Sequence, residues 1–259
     1  MIDNGRMVRF DFDQTFGEDY LHFYLPHLVD EQNDADAAVV IARLALQPGE
    51  QVLDAPCGHG RISNRLAAAG LSVTAVDITP HFLDVAVADA ATMGVSVDYR
   101  AGDIRALPVD DVSFDAAVSW YTSFGYFDDD DNRAVLREYA RALRPGGRLL
   151  IETLARDNIV RRYSEAPDAN VVEVGDDLQI DSSRFDPMTG RIGTDRTIVR
   201  DGQVRRGHHS VRLLTIQEWH VWLADAGFDD VQTTDHDGGP VTMDSRRLVV
   251  VATRSGSSS

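Results

Sequence analysis

The stretch VLDAPCGHG, residues 52–60, decides the fold. VLDA is a short apolar strand that ends on the carboxylate Asp54, and Gly58 and Gly60 occupy the turn that opens the following helix. Glycines at such a crossover let backbone approach a ligand closely and expose N–H groups at a positive helix end. These residues place a polar or anionic cofactor group above the first strand, where doubly wound sheets bind ligands. A dinucleotide fingerprint wants G-x-G-x-x-G, and the third glycine position is Ser63. A pyrophosphate would also face Asp54, whereas a ligand bearing an ammonium group turns that carboxylate into an asset.

Strands and helices alternate outward from this turn. HGRISNRLAAAG (59–70) is a helix closed by glycine, and LSVTAVD (71–77) is an alternating strand that ends in Asp77. TPHFLDVAVADAATMG (79–94) is a helix opened by Thr79 and Pro80 and stopped by glycine. VDYRAGD (97–103) and FDAAVSW (114–120) are the third and fourth strands. DNRAVLREYARALR (131–144) is amphipathic, and Pro145-Gly146-Gly147 hands over to a fifth strand, RLLIET (148–153). Such alternation predicts right-handed βαβ units on a parallel sheet. The acidic run 128–131 reads as a solvated helix start.

The flanks differ in character. Residues 1–46 mix aromatic and acidic residues before the helical run DADAAVVIARLAL, and are expected to form an N-terminal helical cap. Between 156 and 213, period-2 segments (DDLQIDSSRF, GRIGTDRTIVR, QVRRGHHSVRLL) joined by DPMTG and DG predict inserted antiparallel hairpins. The core pattern resumes over 214–253 with a helix from Thr215, its expected N-cap, then the strands VQTTDH and SRRLVVVATR. A disordered tail is expected at 254–259. The division is one domain: cap 1–46, cofactor-binding core 47–155, insertion or substrate lid 156–213, and C-terminal helix with strand pair 214–253.

Composition narrows the function. The 259 residues are 43% hydrophobic and 26% charged, an ordinary globular balance. No apolar run reaches the ~20 residues of a membrane helix, and the start MIDNGRMVRF lacks a signal-peptide core. The single cysteine, Cys57, fits a reducing cytoplasm, the expected location. There is no lysine, which excludes a Schiff base and a P-loop. The net charge of −17 disfavours nucleic-acid and anionic-membrane partners. No metal is expected: His208 and His209 are adjacent on a strand and point to opposite faces, and DHD at 235–237 lacks ligand spacing.

Taken in order, VLDAPCGHG, VTAVDIT, AGDIRALP, FDAAVSW and LRPGGRLLIET resemble the successive motifs of class I S-adenosylmethionine-dependent methyltransferases, over residues 45–155 and again, in the C-terminal strand pair, over 213–253. The wording GHGRIS, SFGYF and RALRPGGRLLIET is most similar to bacterial small-molecule members. The resemblance implies a Rossmann-like doubly wound, mostly parallel seven-stranded sheet with an antiparallel C-terminal strand. It implies S-adenosyl-L-methionine as cofactor and S-adenosyl-L-homocysteine as product. Asp54 and the backbone of Cys57–Gly60, including Gly58, would hold the methionine end. Asp77 would take the ribose and Ile78 one adenine face. Asp103 and Ile104 would read the adenine edge, and Ser119 and Trp120 would line the space beside the methyl. Tyr20 or Tyr24 would close over the cofactor.

The acceptor is expected to be a small molecule with an O, N or C nucleophile, lined by Tyr121, Thr122, Phe124 and Tyr126. His208 or His209 is the expected base, and Tyr121 would orient the acceptor. Competing readings are a macromolecular methyltransferase, an NAD-binding oxidoreductase and a non-catalytic module that keeps the pocket. The loop SWYT (119–122) lacks the Asn/Asp-Pro-Pro-aromatic pattern of enzymes that methylate base amines.

Overall fold

The computed structural model describes residues 16–163 and 168–256. Most of the residues expected to form the start of the cap, 1–15, and the last three of the expected tail lie outside them. The described chain opens with helix α1 (Glu18–Tyr24), a 3₁₀ turn (Leu25–His27) and α2 (Asp30–Arg43). The core follows as β1 (Gln51–Asp54), α3 (Ser63–Ala68), β2 (Ser72–Asp77), α4 (Pro80–Met93), β3 (Asp98–Ala101), β4 (Phe114–Ser119), α5 (Asp129–Ala142) and β5 (Leu143–Leu154).

Local chemistry sets several of these boundaries. Pro80 takes the first turn of α4, and Gly94 ends it in the left-handed region at φ 69°. Asp128 caps α5 by accepting from the Asp131 backbone N–H, so the acidic run serves the helix start. The helix expected from His59 begins only at Ser63, because residues 57–60 are held as a turn by Gly60 N–H donating to Cys57 O at 3.1 Å.

The expected hairpin insertion starts differently from its sequence pattern. Residues Arg156–Tyr163 form helix α6, and four strands follow: β6 (Asp168–Val174), β7 (Asp177–Asp186), β8 (Arg191–Arg200) and β9 (Gln203–Arg212). They pair antiparallel in the order β6-β7-β8-β9, separate from the main sheet. The chain ends with α7 (Ile216–Asp225), β10 (Phe228–Asp235) and β11 (Arg247–Arg254). Thr215 and Glu218 close a reciprocal capping box at the start of α7, with Thr215 as the expected N-cap.

The main sheet has seven strands in the order β10-β11-β5-β4-β1-β2-β3. β11 runs antiparallel to both neighbours and the rest are parallel. This is the doubly wound, mostly parallel architecture expected. Alternate residues of each strand feed two cores. Leu53, Val76, Ala117, Leu149 and Ile151 pack against α5 and α7. Val52, Val73, Ala116, Val118 and Leu150 pack beneath α2 and α3. A third cluster (Ile159, Phe185, Ile192, Val211, Leu213) docks the hairpin sheet beside the end of β5 through α6. Register aligns Asp54 with Ala75 and Val118, and Asp77 with Ala101, so the acidic strand ends share one edge of the sheet.

Candidate functional site

At that edge the first crossover is pinned to the neighbouring strand. Cys57 N–H donates to Val76 O at 2.9 Å, and Gly58 N–H donates to Asp77 Oδ2 at 2.8 Å. The two glycines do different work. A side chain at Gly60 (φ +77°) would collide with Tyr99 and with Ala86 of α4, so this position lets helix and loop close-pack. A side chain at Gly58 (φ +55°) would meet nothing within 4 Å. The backbone there faces open space, as a cradle for a bound group must.

Asp54 is 1% exposed and accepts a hydrogen bond at 2.5 Å from the hydroxyl of Ser63, whose backbone N–H also acts on it. Burial pushes its carboxyl up to about 7, against the opposing pull of Ser63 and Arg61. Ser63, which breaks the dinucleotide fingerprint, is therefore the residue that orients Asp54. Asp77 is buried too, and burial raises its carboxyl even though Gly58 and Thr79 N–H donate to it. The Thr79 hydroxyl and Ile78 N–H also act on it, all of them neutral donors. For Asp103 burial raises the carboxyl, but the Arg105 guanidinium outweighs burial and holds it below the usual range.

One cavity gathers most of the residues singled out from sequence. Asp54, Cys57, Gly58, Asp77, Ile78, Asp103, Ile104 and Trp120 line it, together with Tyr20, Tyr121, Thr122 and Tyr126. His59, within the Cys57–Gly60 segment, lines it as well, as do Phe16, Arg61, Thr79, Phe82 and Phe127, which motif reading missed. Aromatic rings close one side: Phe16 lies edge-on to Tyr20, Phe82 and Tyr126 with centroids 5.4–6.4 Å apart. Burial and the nearby arginines lower His59 to about 4, so it is neutral at pH 7.

Other candidates fall elsewhere. Tyr24 stands behind the lining, stacked on Tyr20 at 4.4 Å, with its hydroxyl accepting from Arg196 at 3.2 Å. Ser119 is fully buried beneath the cavity, Gly60 is taken up by packing, and Phe124 is a core residue tilted against Trp219 at 5.0 Å. The two histidines expected as base candidates are on β9, away from this cavity. His208 is half exposed and paired with Asp195 at 2.8 Å. His209 lines a separate groove with Asp19, Arg196, Arg200 and Arg205, and burial lowers it to about 4. A proton acceptor that weak is a poor base at neutral pH.

Tyr121 and Thr122 carry the site's strain. Both non-glycine residues are left-handed (φ +64° and +60°), and both are held by Glu152 at the end of β5. The Glu152 carboxylate accepts Tyr121 N–H at 2.8 Å, and its backbone carbonyl accepts Thr122 N–H at 3.0 Å. Glu152 is itself 2% exposed and paired with Arg247. The Tyr121 ring has the Arg61 and Arg247 guanidinia 5.0 and 5.1 Å from its centroid. Trp120 and Tyr121 form a wall shared with a second chamber, lined also by Asp36, Glu152, Arg247 and His236 from the β10–β11 connection. An acid inside the apolar strand RLLIET was the sequence signal for Glu152. Nothing local marked His236.

Residues 52–147 match the family model of a methyltransferase domain. Among curated proteins, a ubiquinone biosynthesis O-methyltransferase of Xanthomonas campestris is 37% identical over 117 residues, covering 45% of this chain and 48% of that protein. The chain thus spans under half the length of this curated relative. Among solved structures, the CcbJ methyltransferase of Streptomyces caelestis superposes with TM-score 0.79 at 21% identity, over 95% of this chain and 100% of that one. An amino pentose methyltransferase of Micromonospora echinaspora, solved with S-adenosylmethionine bound, superposes with TM-score 0.66 at 19% identity, over 97% and 100%. No described helix is long and apolar enough to cross a membrane. The motif order and the seven-stranded sheet agree with the match of residues 52–147 to a methyltransferase domain.

Proposed function

We propose that this protein transfers a methyl group from S-adenosylmethionine to a small molecule. One observation carries the reading. A single aromatic-walled cavity brings together two buried carboxylates held without an arginine ion pair, Asp54 and Asp77, and the unobstructed Gly58 backbone. The cofactor fits that set. Its ammonium would meet Asp54, its ribose hydroxyls would meet Asp77, and its adenine would lie against Ile78 and Ile104. When bound, it supplies a methyl group on a cationic leaving group.

The protein's own work is positional. Phe16, Tyr20, Phe82 and Tyr126 exclude water from the cavity, which strengthens every electrostatic contact within it. Tyr121 and Thr122, fixed by Glu152, hold the acceptor in line, and proximity of this kind is worth several kcal/mol. The acceptor enters from the chamber behind Trp120 and Tyr121, where His236 and Glu152 are among the groups able to receive or orient its proton. A small acceptor agrees with the acidic surface, which repels nucleic acids. One relative is named for ubiquinone biosynthesis and one structural neighbour for an amino pentose.

The test is calorimetry followed by transfer. S-adenosylhomocysteine should bind and NAD should not. Radiolabelled methyl from S-adenosylmethionine should then enter the low-mass fraction of a bacterial extract, and not its RNA or protein. NAD binding without S-adenosylhomocysteine binding would replace this reading with the oxidoreductase one. Label confined to macromolecules would replace the acceptor class.

A further inference from the structure

Arg61 follows the glycine turn directly and is 8% exposed. Its side chain reaches across to α2, where Nη1 donates to Asp36 Oδ2 at 2.6 Å and to Asn33 Oδ1 at 3.1 Å. Asn33 and Asp36 are three residues apart on one helix and are both buried, so the guanidinium is held in a fixed orientation. Its Nη2 is buried and has no hydrogen-bond partner among the described residues. A buried donor left in that state costs free energy until an acceptor arrives, and an anionic acceptor returns most. Arg61 lines the same cavity as Asp54 and influences it electrostatically, yet no ion pair joins the two. Asp54 is committed to Ser63 and Arg61 to α2, which keeps the opposite charges apart. With His59 neutral, Arg61 is the only cation among the residues lining this cavity.

We infer that Arg61 and Asp54 form a clamp for an amino-acid zwitterion: Asp54 takes the ammonium, Arg61 takes the carboxylate, and α2 belongs to the binding site because it holds Arg61. The inference rests on the reading under Proposed function and names the group by which the site tells its ligand from other adenosine derivatives. It makes Arg61 a binding residue rather than a mere link between cap and core. It also gives the N-terminal helices a role in cofactor affinity.

Two ligands separate these roles. S-adenosylhomocysteine carries the amino-acid tail, and 5′-methylthioadenosine has the same nucleoside and thioether sulfur without it. Calorimetry on the wild-type protein, Arg61→Met, Arg61→Lys and the double variant Arg61→Met/Asp36→Asn gives the answer. The double variant removes the buried ion pair as a unit, so a folding defect from a stranded carboxylate does not confound the result. Arg61→Met and the double variant should each lose roughly 10- to 100-fold in S-adenosylhomocysteine affinity. Both should bind 5′-methylthioadenosine within about twofold of wild type, and Arg61→Lys should recover part of the loss. Unchanged S-adenosylhomocysteine affinity, or an equal loss for both ligands, overturns the clamp while leaving the cofactor reading in place. A wild-type protein that binds neither ligand removes the cofactor reading, and the clamp with it.

Discussion

The carboxyl edge of the main sheet and the face between α1 and the hairpin sheet use the same residue types to opposite ends. On the hairpin side the buried and half-buried aspartates among the described residues are matched with arginine. Asp181 pairs with Arg196 at 2.7 Å, both about 90% buried, and Asp19 is shared by Arg200 and Arg205 at 3.0 and 2.7 Å. Burial raises the Asp19 carboxyl, but the two guanidinia outweigh it and hold it below the usual range. At the sheet edge Asp54 and Asp77 are more deeply buried, bond only to neutral donors, and are pushed upward. A matched pair is a strut that must stay whole. An unmatched buried carboxylate costs stability and is tolerated where a ligand supplies the missing charge.

The largest test of this contrast is Asp181→Ala, which strands Arg196 in a buried site. It should destabilise the fold by about 3–5 kcal/mol, lowering Tm by roughly 10 °C in a chain of this size, as thermal unfolding by circular dichroism would show. Asp54→Asn should act in the opposite sense on stability while costing about 100-fold in S-adenosylhomocysteine affinity, because it removes a charged ammonium contact. The sign of its stability effect follows from the raised carboxyl. Folding favours the protonated form, so the ligand-free protein loses stability as pH climbs from about 4 to about 7 and is level above that. Asp54→Asn should flatten that slope and raise Tm by several degrees at pH 8; an unchanged or lower Tm there would break the contrast.

The same ionisation governs binding. Below pH 7 the affinity of the wild-type protein for S-adenosylhomocysteine should fall by up to about tenfold per pH unit, and Asp54→Asn should lose that dependence. Gly58→Ala places a side chain in the open cradle at a left-handed position. It should cost about 1 kcal/mol of stability and roughly tenfold in affinity, read by the same titrations. The smallest effect belongs to His208→Ala. With an exposed side chain whose partner Asp195 is also exposed, it should change stability by less than about 0.5 kcal/mol and leave S-adenosylhomocysteine affinity unchanged.

The sheet edge was legible because each of its parts is local. Strand, acid, glycine turn and helix follow one another within about ten residues, and periodicity of 2 or 3.6 reports burial one element at a time. Hence Asp54, Gly58, Asp77 and Asp103 could be placed from motif order alone. The hairpin side was legible only in outline. Its period-2 segments announced strands, but β6 was missed and α6 was read as part of the hairpins. The adjacency of His208 and His209 said nothing about which cavity either would face. Ser63 looked like a missing glycine until the fold set its hydroxyl against Asp54.

Composition and local pattern determined the parallel α/β core, the crossover that opens the site and the acids ranged along its edge. Tertiary structure alone decided which charges were paired. Arg61 meets Asp36 across 25 positions, Glu152 meets Tyr121 across 31 and Arg205 meets Asp19 across 186. No period in a chain encodes such encounters. They are set when the elements pack and every buried charge must find a partner or be left for a ligand.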